Sequence, residues 1–81
     1  MRNMSSIEQT IIKLAATAYG VEESTIAIDT DIREEISNQS IKLLAFISSI
    51  EDELDVTLDM SEMTTFITIR DFVEKVRQLT Q

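Results

Sequence analysis

Ser40 is the residue whose position in this sequence suggests chemistry. It follows the polar stretch 37–39 and opens a strongly apolar run that begins with Ile41. A serine at such a junction is a good helix cap, because its side-chain oxygen accepts a hydrogen bond from a free backbone N–H group. Its hydroxyl also offers a point at which another enzyme can attach a large group. The residues alone leave both interpretations open.

Other catalytic chemistry is poorly represented. The chain contains no cysteine and no histidine, which excludes disulfides, thiol catalysis and the commonest metal ligand. It contains no phosphate-binding loop, catalytic triad or cluster of metal ligands, so we expect neither an enzyme nor a metal site. Segment 29–35 is acidic but lacks the glycine and the final glutamate of an EF-hand loop. Weak cation binding, as in an acidic cation buffer, remains an alternative.

The negative charge is concentrated in the middle of the chain. The formal net charge is -8, and the segment 22–62 holds twelve acidic residues against Arg33 and Lys42. Such a field repels nucleic acids and anionic membranes, and it speeds encounters with proteins that carry basic patches. We therefore expect protein partners and no nucleic acid. The alternative is that the acidity only keeps the protein in solution.

The length and the apolar pattern predict a single domain at residues 1–81. Apolar residues make up 43% of the 81 residues, which suffices for a packed core. The apolar runs are too short to cross a bilayer, and the N-terminal segment does not resemble a signal peptide. We expect a cytoplasmic monomer without membrane insertion.

Helical spacing of apolar residues predicts helices at about 6–19 and 40–54, a short one near 61–64, and a last one that opens with Thr68 and Asp71 at capping-box spacing. The pattern indicates a small all-α bundle with a long first loop and a short third helix. The apolar faces expected to be buried are Ile7, Ile11, Leu14, Ala15 and Ala18; Ile41, Leu43, Leu44, Phe46, Ile47, Ile50 and Leu54; and Ile69, Phe72, Val73, Val76 and Leu79. The anchors expected in the long loop are Val21, Ile26, Ile28, Ile32 and Ile36.

The order of these features resembles the acyl carrier protein family. The segment 7–21, IEQTIIKLAATAYGV, is similar to the family's first helix, and the segment 31–56, DIREEISNQSIKLLAFISSIEDELDV, is similar to its signature region. The resemblance implies a four-helix bundle and a 4′-phosphopantetheine arm on Ser40. The arm would carry an acyl group as a thioester for fatty-acid, polyketide or related biosynthesis, and it would supply the thiol that the chain lacks.

Several positions depart from the family pattern. Gln39 stands where the family has an aspartate before the serine, Ile41 where it has a leucine, and Ser37 where it has a glycine. Lys42 reverses one charge of the usually acidic second helix, and Ala45 removes another. These departures indicate a specialised carrier, or alternatively an interaction module with this fold that is not modified.

The resemblance also implies two further sets of residues. The partners implied are a phosphopantetheinyl transferase and acyl-transfer or acyl-loading enzymes with basic docking surfaces. The residues expected to dock them are Gln39, Ile41, Lys42, Ala45, Ser48, Glu51 and Asp52. The residues expected to line an acyl pocket, unless they form ordinary core, are Leu44, Phe46, Ile47, Ile50, Met63 and Phe66.

Overall fold

The computed structural model describes residues 4–33 and 40–80, and only the backbone at residues 4, 5 and 40. These ranges form four α-helices and no strand: α1 (Met4–Tyr19), α2 (Ser40–Leu54), α3 (Met60–Met63) and α4 (Ile69–Thr80). A short 3-10 helix at Glu23–Thr25 lies in the connection between α1 and α2. The predicted all-α bundle, with its long first connection and short third helix, is confirmed.

The first two helices end in the same backbone motif. At the end of α1, the N–H of the residue after Gly20 donates to the carbonyl of Ala16 at 3.0 Å. At the end of α2, the N–H of the residue after Asp55 donates to the carbonyl of Glu51 at 3.3 Å. Both turns need a left-handed residue, and φ is 71° at Gly20 and 54° at Asp55. Glycine adopts this conformation freely, whereas aspartate does so at a cost.

Aspartates stabilise the start of the last two helices. Asp59 precedes α3 and accepts a hydrogen bond from the backbone N–H of Ser61 at 2.9 Å. Asp71 lies in the first turn of α4 and accepts from the backbone N–H groups of Ile67 and Thr68 at 2.8 and 3.1 Å. The bond from Thr68 is one half of the predicted capping box.

The core lies where α1 packs against both α2 and α4. The buried apolar side chains are Ile7, Ile11, Ala15, Ala16, Tyr19, Ile26, Ile32, Phe46, Ile47, Ile50, Leu58, Met63, Ile69, Phe72, Val73 and Val76. They come from all four helices and from the two connections on either side of α2, so one core joins the described parts of the chain.

The connection after α1 pairs with the segment that leads into α4. The backbone N–H of Ile32 donates to the carbonyl of Ile67 at 2.8 Å, and the N–H of Ile69 donates to the carbonyl of Thr30 at 3.3 Å. Ile26 and Ile32 are buried. Their predicted role as anchors is confirmed, and the backbone pairing shows how the connection is held.

Several apolar residues predicted to be buried are exposed. In α2, Ile41 is 73% exposed and Leu44 is 47% exposed, while Leu79 in α4 and Val21 after α1 also face solvent. The predicted burial along α2 was therefore wrong for Ile41 and Leu44, whereas Leu43 is partly buried and packs against the core. Ile36 lies outside the described residues.

Candidate functional site

The structure places Ser40 at the first position of α2. The first backbone N–H groups of an α-helix have no acceptor within the helix, and this end of the helix dipole is positive. The neighbouring side chain of Ile41 is 73% exposed, so this end of α2 faces solvent. The half-exposed Lys42 adds a positive charge nearby. This end of the helix fits a phosphate group attached to residue 40.

An exposed face runs along α2 from this end. Ile41, Ala45, Ser48 and Asp52 are exposed and recur at helical spacing, so they share one face. Leu44 is exposed beside them. The structure thus brings most of the predicted docking residues together and adds Leu44 to them. Gln39 lies outside the described residues.

Leu44 was predicted to line an acyl pocket, and its side chain is 47% exposed. Sequence reasoning missed its surface position because helical periodicity marks an apolar side chain but not the element that covers it.

Glu51 differs from the other predicted docking residues, because its carboxylate also serves the fold. Its Oε2 accepts a hydrogen bond from the backbone N–H of Leu58 at 2.9 Å. Leu58 is buried in the core. Glu51 therefore fastens the connection between α2 and α3 to α2, while the neighbouring Asp52 and Glu53 are exposed.

The remaining predicted pocket residues belong to the core. Phe46, Ile47, Ile50 and Met63 are almost fully buried, and Phe66 packs against them from the connection before α4. Four of these five residues are therefore buried between the helices, and their burial is that of ordinary core residues.

Two acidic residues of the long connection, Asp29 and Asp31, have partners within the chain. Asp29 forms an ion pair with Arg70, with 3.0 Å between Oδ1 and Nε, and this hydrogen bond and charge lower the pKa of Asp29. Asp31 accepts a hydrogen bond from the backbone N–H of Arg33 at 2.8 Å. In the described ranges no group of three or more acidic side chains is arranged to hold a metal ion.

Arg33 makes a contact between distant segments that sequence reasoning did not single out. Its guanidinium donates a hydrogen bond to the carbonyl of Thr64, which caps the C-terminal end of α3. This bond joins the side chain of Arg33 to the C-terminal end of α3. Arg33 also lies close to Tyr19, whose pKa is raised by burial and lowered to a smaller extent by the Arg33 charge.

Residues 9–76 match the protein family described as phosphopantetheine attachment site. The chain belongs to this family of acyl carrier proteins. It is 27% identical to acyl carrier protein 2 of Pseudomonas aeruginosa over 75 aligned residues. The alignment covers 93% of this chain and 95% of the relative. The chain is 28% identical over 75 residues to the acyl carrier proteins of Shigella flexneri and Shigella dysenteriae, which covers 93% of this chain and 96% of each relative.

The family resemblance expected from the sequence is thereby confirmed. Acyl carrier proteins are carriers and not enzymes, their cofactor is 4′-phosphopantetheine, and they interact with phosphopantetheinyl transferases and acyl-transfer enzymes. In the part of the chain that the structure describes, no helix is long and apolar enough to cross a membrane.

Proposed function

We propose that Ser40 carries the 4′-phosphopantetheine arm and that this protein presents acyl thioesters to enzymes of fatty-acid, polyketide or related biosynthesis. The observation that carries the proposal is the position of Ser40 as the first residue of α2, within the matched range 9–76. The arm supplies the thiol that the cysteine-free chain lacks. The proposal includes a single carrier domain at residues 1–81 that is monomeric and cytoplasmic.

The attachment is a phosphoryl transfer from coenzyme A. The Ser40 oxygen forms a bond to the phosphorus that bears pantetheine, the phosphoanhydride bond breaks, and adenosine 3′,5′-bisphosphate leaves. The serine proton passes to the transferase or to solvent. The positive end of α2 then lies next to the phosphodiester and stabilises its charge.

Intact mass tests the attachment site. The protein is incubated with coenzyme A, magnesium and a broad-specificity phosphopantetheinyl transferase, beside Ser40→Ala and Ser24→Ala. Ser24 is the control because it is an exposed serine outside α2. We expect one added arm on the parent and on Ser24→Ala, and none on Ser40→Ala. Modification of Ser40→Ala would show that the arm is attached elsewhere.

The exposed face of α2 is the docking surface in this proposal. It joins the apolar side chains of Ile41 and Leu44 near the arm to the acidic residues at the far end of the helix. Apolar contacts at the centre of an interface supply affinity, and surrounding charges steer the encounter. Partners with basic surfaces meet Asp52 favourably and Lys42 unfavourably, which selects among them.

An interaction module without the arm is the second candidate, and Gln39 favours it. The family has an aspartate at this position, which usually helps the transferase and its metal engage the serine. If the protein stays unmodified with the transferase of its own host as well, and Ser40→Ala retains its function there, the module is the correct assignment.

A further inference from the structure

The side chain of Glu51 is held by the backbone of a buried residue. Its Oε2 accepts a hydrogen bond from the N–H of Leu58 at 2.9 Å, and the Leu58 side chain is only 6% exposed. Glu51 is half-buried, whereas the next two residues, Asp52 and Glu53, are exposed. The bond therefore orients one carboxylate at the acidic end of α2 against a fixed part of the core.

The same residue also fastens the backbone at the end of α2. The Glu51 carbonyl accepts a hydrogen bond from the N–H of Val56 at 3.3 Å, across the left-handed Asp55. Glu51 thus holds the chain that follows α2 through its carbonyl and through its carboxylate. Because both bonds start from one residue, the orientation of the carboxylate and the position of the connection between α2 and α3 depend on each other.

Glu51 also lies in line with the exposed face of α2. It follows Ser48 by one turn and Leu44 by two turns, so the three residues lie on the same side of the helix. Leu44 is 47% exposed and Ser48 is exposed as well. A partner that covers these two residues therefore meets the oriented carboxylate of Glu51.

An oriented carboxylate binds a cation better than one that rotates in solvent. A glutamate side chain loses rotamer freedom when a partner fixes it, and this loss is one reason why exposed ion pairs are weak. The bond from Leu58 orders Glu51 before a partner arrives, so less freedom is lost on binding. A carboxylate has about four acceptor sites on two oxygens, and Leu58 occupies one of them. The other sites suit a lysine or arginine of a partner.

We infer that Glu51 is the residue that selects partners at the acidic end of α2, and that it couples docking to the connection between α2 and α3. The inference rests on the proposed carrier function and its docking face. A partner's cation that binds the carboxylate restrains it further, so its bond to Leu58 breaks less often. Such coupling is reciprocal, and loss of the bond to Leu58 therefore weakens docking.

Four variants separate the charge from the orientation. Glu51→Gln removes the charge but keeps an oxygen for the N–H of Leu58, whereas Glu51→Asp keeps the charge on a side chain one methylene shorter, which withdraws it from that N–H. Asp52→Asn and Glu53→Gln each remove one exposed charge. The measurement is kcat/KM for phosphopantetheine attachment by a basic, broad-specificity transferase at low salt. We expect a loss of about tenfold for each Glu51 variant and of at most about threefold for each neighbour.

Hydrogen exchange measures the coupling to the connection. The amide of Leu58 is followed with and without saturating transferase, in the absence of coenzyme A. The amide of Thr25, which donates to the Glu22 carbonyl at 3.1 Å beside the 3-10 helix, is the reference. We expect docking to slow exchange at Leu58 several-fold in the parent and to leave it unchanged in Glu51→Gln, with no change at Thr25 in either protein. A purely structural role of Glu51 would not make this protection depend on the transferase.

Three results would overturn the inference. If Glu51→Asp is modified as fast as the parent, orientation by Leu58 does not contribute to docking. If all four variants lose activity equally, the acidic end acts only through its total charge. If Leu58 exchange does not respond to the transferase, docking and the connection are not coupled. Each of these results is obtained with a parent that is modified, whereas a parent that receives no arm would overturn the proposed carrier function and this inference with it.

Discussion

The carboxylate of Glu51 accepts a hydrogen bond from the backbone N–H of Leu58, with 2.9 Å between Oε2 and the nitrogen. The bond joins the last turns of α2 to a residue whose side chain is buried in the core. Glu51, which the family resemblance assigns to the docking surface, therefore also holds the connection between two helices. The two roles separate experimentally.

Replacing Glu51 by alanine is expected to lower the free energy of unfolding by about 1–2 kcal/mol, because the N–H of Leu58 loses its acceptor. Glu51→Gln keeps an acceptor oxygen and is expected to lose less. The exposed Asp52 is the control, and Asp52→Ala should change stability by no more than about 0.5 kcal/mol. Urea denaturation measures all three. Equal stability of the Glu51 and Asp52 variants would contradict a structural role.

Ile41→Ala and Leu44→Ala are each expected to lower kcat/KM of the transferase about tenfold, since exposed apolar side chains near the arm contribute affinity at the centre of an interface. Leu79→Ala is the control. Leu79 is 44% exposed, close to the 47% of Leu44, but lies on α4. A transferase assay with all three variants decides the matter, and a similar loss in Leu79→Ala would mean that docking does not depend on α2.

Lys42→Glu is expected to raise kcat/KM with a basic transferase several-fold at low salt, because it removes a repulsive charge from the docking face. The gain should shrink as salt is added and screens the charges. Asp52→Lys, which makes the opposite change on the same helix, should lower the rate. If kcat/KM were unchanged by both substitutions, charges on α2 would not guide this encounter.

Asp55→Gly is expected to stabilise the protein by about 0.5–1 kcal/mol, because glycine adopts the left-handed conformation that aspartate holds at a cost. Gly20→Ala should destabilise it by about 1 kcal/mol for the same reason. No atom lies within 4 Å of a Cβ placed on Gly20, so the cost there reflects the backbone and not a clash. Thermal unfolding of both variants checks this, and a neutral Gly20→Ala would refute it.

The Asp29–Arg70 pair predicts a pH dependence. The hydrogen bond from Arg70, followed by its charge, lowers the pKa of Asp29 below the ordinary value. The stabilisation by this ion pair is therefore fully present above the pKa that Asp29 has in the unfolded chain. It is lost as the pH falls through the lower pKa that Asp29 has in the folded protein. Melting curves of the parent and of Asp29→Asn should differ most near neutral pH and converge as the pH falls below the ordinary pKa of an aspartate. A difference that stays constant with pH would exclude this ion pair as its cause.

The sequence predicted local features well and distant contacts poorly. The bounds of α2 are as predicted and α3 begins one residue earlier, because capping residues and helical periodicity act within a few residues. The pairing of Asp31 with Thr68 joins residues far apart in the chain. No local pattern in the sequence marks this pairing.

The candidate site divides in a similar way. A serine that opens an apolar run is visible in the sequence, and Ser40 indeed begins α2. Which of the apolar residues on α2 face solvent is not visible there, because Ile41 and Ile47 are equally apolar and only their neighbours in space differ. Ile41 is 73% exposed and Ile47 is 2% exposed.

The backbone pairing between the α1–α2 connection and the start of α4 has a consequence for synthesis of the protein on the ribosome. The backbone N–H of Ile32 donates to the carbonyl of Ile67, and the carbonyl of Thr30 accepts from the N–H of Ile69. The ribosome therefore synthesises α1 and α2 before it has synthesised residues 67–69, which pair with the connection between them. We expect the nascent chain to stay accessible to proteases until the first turn of α4 has emerged, and then to become protected in a single late step.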